Sequence, residues 1–228
     1  MTNFNIEIVS DTVCPWCYVG KQKMDKAINA YKELHPESND TFATTWKPYY
    51  LAPDSPKKGI DKNAWYKEKF GEERVAMMQE RLLQIGKDAG INFKFGGKTG
   101  NTRDSHRLIQ LGKSKSPASQ TAVISALFNA YFESEGDITD HSVLRAAGIK
   151  AGLPEKEVNE WLKSDKGGEE VDIEVEEARR LGISGVPNFT INGKYEIGGA
   201  QDPSVFLRLF EKIKAGEGAG RVANGDGC

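Results

Sequence analysis

The chain has 228 residues, a formal net charge of -2, and 28% charged residues. That length buries a substantial core without disulfides or metals as staples, and it fits one domain or one domain carrying an insertion. Lysine and arginine are scattered rather than gathered in a block, so nothing points to nucleic acid, and no apolar run reaches the roughly 18 to 20 residues that span a bilayer.

Residues 3–9 alternate Phe4, Ile6 and Ile8 with polar neighbours and break at Ser10-Asp11, which predicts a strand. The same stretch lacks the basic and apolar regions of a secretory signal, so the expectation is a soluble, cytoplasmic protein. Asp11 or Thr12 is placed to cap a helix on which Met24, Ala27, Ile28 and Tyr31 recur, and whose first turn holds Cys14 and Cys17. A second strand is predicted over 41–51, rich in Phe, Thr, Trp and Tyr and closed by Pro53. These pieces form a βαβ unit with parallel strands.

From Asp61 the apolar period becomes helical. Val75, Met78, Leu82 and Ile85 make one stripe, Ser116-Pro117 reads as a cap followed by proline at the first helical position, and Asp140 and Pro154 open further helices. Met77, Met78, Phe128, Tyr131 and Phe132 read as core. A helix ending at Arg179-Arg180-Leu181 stops at Gly182, and a strand over 186–191 is entered through Pro187. Asn192-Gly193 is a hairpin turn into 194–197, and 203–213 is a closing helix. Residues 1–55 and 170–214 are thus expected to form one α/β domain around a helical insertion over 56–169. A glycine-rich tail over 215–228 is expected to be disordered.

The chemistry lies in Cys14-Pro15-Trp16-Cys17. In a reducing compartment a close cysteine pair is more often catalytic or metal-binding than structural. Disulfide exchange needs one thiolate to attack and a second thiol to displace the resulting mixed disulfide. At a helix N-terminus the free N–H groups and the helix dipole favour an anion, which makes Cys14 the nucleophile. Cys17, one turn further in, is the resolving thiol. Half a zinc site is the rival reading, yet only Cys228, His35, His106 and His141 remain as soft ligands and none has partner spacing, so no metal is expected. Cys228 reads as an incidental thiol.

The segments Ser10-Asp11-Thr12-Val13-Cys14-Pro15-Trp16-Cys17-Tyr18, Trp46-Lys47-Pro48-Tyr49-Tyr50-Leu51, Asn101-Thr102 with His106-Arg107-Leu108, and Gly185-Val186-Pro187-Asn188-Phe189 carry a family likeness. The chain resembles the DsbA-like thioredoxin-domain oxidoreductases. Within them it is similar to the FrnE-type branch, which includes relatives of 2-hydroxychromene-2-carboxylate isomerase and kappa-class glutathione transferase. The resemblance implies a thioredoxin-like fold with a helical domain inserted between its halves, and a cis Val186-Pro187 bond against the cysteines. It implies that Pro15, Trp16, Val186 and Pro187 contact substrate, with Trp16 largely exposed, and that Asn101 and His106 sit at the mouth of the interdomain cleft.

In this reading the protein is a thiol–disulfide oxidoreductase, an oxidase or isomerase of protein, peptide or small-molecule disulfides. It needs no tightly bound cofactor and has glutathione as a possible redox partner. The isomerase and transferase relatives tend to carry serine in place of Cys14, so the two cysteines here favour redox chemistry over a glutathione-dependent isomerase or transferase of a small aromatic compound. A zinc-bound or thiol-bearing interaction module is the non-enzyme alternative. One departure stands out. Thioredoxin and DsbA themselves often place a buried acid six residues before the first cysteine, whereas this chain has Ile8, leaving Lys47, Glu7 or a water to take the proton of Cys17.

Overall fold

The computed structural model describes residues 1–216. Its centre is a four-stranded sheet in the order β2-β1-β5-β6. Strand β1 (Asn3–Ser10) feeds helix α1 (Pro15–Leu34), which returns the chain to β2 (Thr41–Pro48), parallel to β1. Phe4, Ile6 and Ile8 are buried by the alternation seen in the sequence. Strands β5 (Asn188–Ile191) and β6 (Tyr195–Gly198) add antiparallel, with Ile8 opposite Phe189 and Ile6 opposite Ile191. Asn192 and Gly193 both take positive φ, 53° and 66°, the backbone of the tight hairpin that Asn-Gly prefers. Helix α9 (Pro203–Lys214), capped by the Asp202 carboxylate, packs on α1.

Between β2 and β5 lie seven helices: α2 (Lys62–Phe70), α3 (Glu72–Ala89), α4 (Arg103–Lys113), α5 (Pro117–Phe128), α6 (His141–Lys150), α7 (Glu155–Lys163) and α8 (Gly168–Arg180). Two short strands, β3 (Ile60–Asp61) and β4 (Lys98–Thr99), tie the segment's start to its middle. The last turn of α5 runs on as a π-helical stretch over Asn129–Glu133. This is a thioredoxin-like fold carrying a helical insertion. Helix α5 also closes the open side of β2. The Gln120 side chain accepts from the Trp46 N–H at 3.0 Å and donates to the Trp46 carbonyl at 2.9 Å, standing in for a neighbouring strand.

Several local expectations are corrected. Neither Asp11 nor Thr12 caps α1; the N-cap is Cys14 itself. Strand β2 stops at Pro48 rather than at 51, because the Leu51 N–H turns away to the Asp11 carboxylate at 2.8 Å. Met77 is not core but 63% exposed, since it lies off the Val75–Leu82 face of α3. The strand expected from 186 begins at Asn188, after the proline that cannot donate to a ladder. Most of the expected disordered tail, with Cys228, lies outside the described residues.

Candidate active site

The site begins where β1 ends. The Cys14 N–H donates to the Asp11 carbonyl at 3.1 Å, a turn that swings the chain from strand into α1. Pro15 follows at the first helical position, where its missing N–H costs nothing. The Cys17 N–H closes the first turn on the Cys14 carbonyl at 3.1 Å. Both cysteines are free thiols, and both are buried.

The other half of the sheet brings in the opposing wall. The Val186-Pro187 bond is cis, as the resemblance implies, and the Cys14 Sγ donates to the Val186 carbonyl at 3.6 Å across 172 residues of sequence. Pro187 is buried while Val186 is partly open. Gly20, one turn along α1 from Cys17, makes this approach possible. A Cβ there would stand 3.0 Å from Pro187 Cγ and 3.1 Å from Phe189 Cζ.

Cys17 differs from Cys14 in its surroundings. Burial pushes its thiol well above the ordinary range, and the nearby Cys14 adds to this by hydrogen bonding and charge. The Ser10 hydroxyl and the Asp11 backbone pull the other way without prevailing. A thiol so placed stays protonated until exchange has begun. That is what a resolving role asks for.

The floor of the loop is polar. Asp11 is 1% exposed and takes the Leu51 N–H, and Thr12 and Ser105 hydroxyls meet at 2.8 Å, joining the loop to α4. His106 is 2% exposed, with Nε2 3.1 Å from the Tyr49 carbonyl and 3.4 Å from Asp11 Oδ1. It therefore lies beneath the cysteine loop, not at an open mouth. Asn101 braces its own loop, giving its side-chain N–H to the Pro53 carbonyl at 3.3 Å and accepting from the Arg103 N–H at 2.9 Å. Trp16 is half-buried against the core rather than largely exposed, with the Arg81 guanidinium 5.3 Å from its ring centre.

Lys47 is committed elsewhere. Burial opposes its charge, but Glu174 at 2.9 Å, helped by Glu7 and Glu177, outweighs this and raises it overall. Ser10, Asp11 and Gly20 are site-forming residues to which sequence reasoning gave no part in the site, Asp11 being read only as a helix cap. The signal for the first two was two short polar residues wedged between a buried strand and the cysteine helix. Among the described residues, no group of three or more His, Cys, Asp or Glu side chains is arranged to hold a metal ion. None of the described helices is long and apolar enough to cross a membrane.

Comparison with known proteins agrees with this fold. A family model described as DSBA-like thioredoxin domain matches residues 5–211. The crystal structure of a probable DsbA oxidoreductase from Streptomyces coelicolor is similar at 26% identity and a TM-score of 0.83, covering 99% of this chain and 96% of that one. YwbO of Bacillus subtilis is 26% identical over 211 residues, 90% of this chain and 95% of its own length. The cytosolic disulfide reductase DsbM of Pseudomonas aeruginosa, also solved with GSH, shares the fold at 15% identity and a TM-score of 0.62, over 92% of this chain and 98% of that one.

Proposed function

The chain belongs to the DSBA-like thioredoxin domain family, and we propose that within it the protein is a cytoplasmic thiol–disulfide oxidoreductase that works through Cys14 and Cys17. The observation that carries this reading is the pairing of two free thiols in unequal environments. Cys14 stands at the N-cap of α1, facing the Val186 carbonyl beside the cis proline, and Cys17 sits behind it with its thiol pushed up by burial.

In the reaction, Cys14 attacks a substrate disulfide as a thiolate, and the first substrate sulfur leaves to take a proton. Cys17 then gives up its proton and attacks the Cys14 sulfur. The second substrate thiol is released, and the protein is left with a Cys14-Cys17 disulfide that glutathione or another thiol reduces again. An extended substrate would lie along Val186-Pro187 and over Pro15 and Trp16, with the partly open Val186 backbone as its pairing edge. Asn101 and His106 support the walls of this site rather than touching substrate. DsbM is a cytosolic disulfide reductase whose structure is also known with GSH, and both features suit a pair that cycles in a reducing compartment.

The test is equilibration of the purified protein with glutathione buffers of graded ratio. The account expects a reversible loss of two hydrogen atoms in intact mass, mapped to one Cys14-Cys17 link. Failure of that link to form at any ratio would remove the redox reading.

A further inference from the structure

Helix α3 carries a stripe that neither the core nor the cysteine chemistry accounts for. Arg74, Met77 and Arg81 recur at spacings of three and four, so they share one face of the helix. All three are exposed. The Arg81 guanidinium lies 5.3 Å from the ring centre of Trp16, and that of Arg74 lies 5.8 Å from the ring centre of Phe70 at the end of α2. One end of the stripe thus rests on the tryptophan between Cys14 and Cys17.

The two arginines are held but not neutralised. Arg103, Arg107, Arg145 and Arg179 each hold a carboxylate, whereas Arg74 and Arg81 pair with none among the described residues. The acids of the same helix are turned elsewhere: Glu72 takes Lys67, and Glu73 and Glu80 each precede an arginine and so stand about 100° further round the helix. An aromatic face steadies a guanidinium without cancelling its charge. Two such cations about 10 Å apart along the helix, with an exposed methionine between them, suit a partner that offers carboxylates and apolar side chains together. An extended chain advances about 3.3 Å per residue, so acids about three residues apart would meet both. The whole chain carries 31 basic against 33 acidic residues, so the stripe is a local feature and not the surface of a basic protein.

We propose that the Arg74, Met77 and Arg81 face of α3 is a docking surface for the polypeptide flanking the substrate disulfide, and that it selects segments rich in aspartate and glutamate. The inference rests on the redox reading of Cys14 and Cys17 and names the substrate class of that site. A polypeptide whose disulfide lies at Cys14 passes over Trp16, and its next residues reach Arg81 and then Arg74. Carboxylates there are drawn in from a distance, while lysines are repelled. The sulfur chemistry is the exchange already described: two hydrogen atoms pass from the Cys14-Cys17 dithiol to the peptide disulfide, giving two peptide thiols and the Cys14-Cys17 disulfide.

The experiment mixes the reduced protein, freed of reductant, with two peptides that are each closed by one disulfide and differ only in carrying glutamates or lysines beside it. The second-order rate of Cys14-Cys17 oxidation is read by intact mass after acid quenching. Each rate is divided by that of uncharged dithiothreitol with the same peptide, so that the peptides' own reactivity cancels. At low salt the glutamate peptide should react about tenfold faster, and about 0.5 M sodium chloride should bring the ratio to within about twofold of unity. Arg74→Gln with Arg81→Gln should reduce the low-salt ratio to about twofold, while Arg74→Lys with Arg81→Lys should keep about half of it because the charges remain. A wild-type ratio near one, or a preference that survives the loss of both charges, overturns the proposal and leaves the redox reading in place. Should the glutamine variant fail to fold, the salt series on wild type decides, and a ratio that salt does not move overturns the proposal equally. A reduced protein that neither peptide oxidises overturns the redox reading itself, and the proposal with it.

Discussion

Asp40 and Asp11 sit at opposite ends of the parallel β1–β2 pair, both with buried side chains, and they are treated in opposite ways. The Asp40 carboxylate takes the Thr2 N–H at 2.5 Å, the Tyr31 hydroxyl at 2.7 Å and Lys214 Nζ at 2.8 Å. Lys214 first, then Ser38 and Tyr31, hold it far below the ordinary carboxylate range. Around it Phe4, Tyr31, Phe42 and Phe210 pack edge to face or stacked, so the polar bonds and the aromatic core hold the same joint. Asp11 has one backbone N–H and one oxygen left over. A fully bonded carboxylate ties its surroundings together, whereas Asp11 holds only the Leu51 N–H and keeps its other oxygen unbonded beside the cysteine loop.

The contrast can be broken by substitution. On the satisfied side, Gln120→Leu should cost about 2 to 4 kcal/mol in denaturant unfolding, because it strands the Trp46 N–H and carbonyl together. Asp40→Ala should cost about 2 kcal/mol at neutral pH by leaving Tyr31 and Lys214 without their acceptor. Because the folded state depresses this carboxyl, its contribution is complete above the unfolded value of about 4 and is lost as pH falls below it. The melting temperatures of wild type and Asp40→Asn should therefore converge in acid. Melting curves that stay equally far apart at every pH would contradict the carboxylate's role.

At the cysteine end the expected losses are smaller and fall on function. Gly20→Ala forces Pro187 and Phe189 back by a few tenths of an ångström, for about 1 to 2 kcal/mol and slower exchange with a peptide disulfide. Unchanged exchange in a folded variant would show that the Pro187 wall does not matter. Asp11→Asn should cost under about 1 kcal/mol, since an amide oxygen still accepts from Leu51. A loss as large as that at Asp40 would erase the contrast between the two aspartates.

Much of this was legible from residue order. The alternation of Phe4, Ile6 and Ile8, the Ser116-Pro117 start of α5, the Asp140 cap of α6 and the Asn192-Gly193 hairpin are local rules that tertiary packing did not override. Cys14 and Cys17 stood out because a strand, a gap and a helix bracket them. What stayed hidden depends on distant pieces of chain. The shortening of β2 needs the Asp11 side chain, the burial of His106 needs the loop after β2 to cross it, and the half-covering of Trp16 needs Arg81 from α3. Asp11 itself reads as an ordinary helix cap until α4 and the Leu51 N–H are brought against it.

The central claim, that two thiols in unequal environments divide the work, is tested most directly by intact mass after mixing single-cysteine variants with oxidised glutathione. Cys17→Ser keeps the N-cap nucleophile and removes the thiol that would release it, so a stable glutathione adduct on Cys14 should accumulate. Cys14→Ser leaves a thiol that burial keeps protonated, and it should form little or no adduct over the same interval. Adducts appearing on Cys17 as fast as on Cys14 would contradict the account.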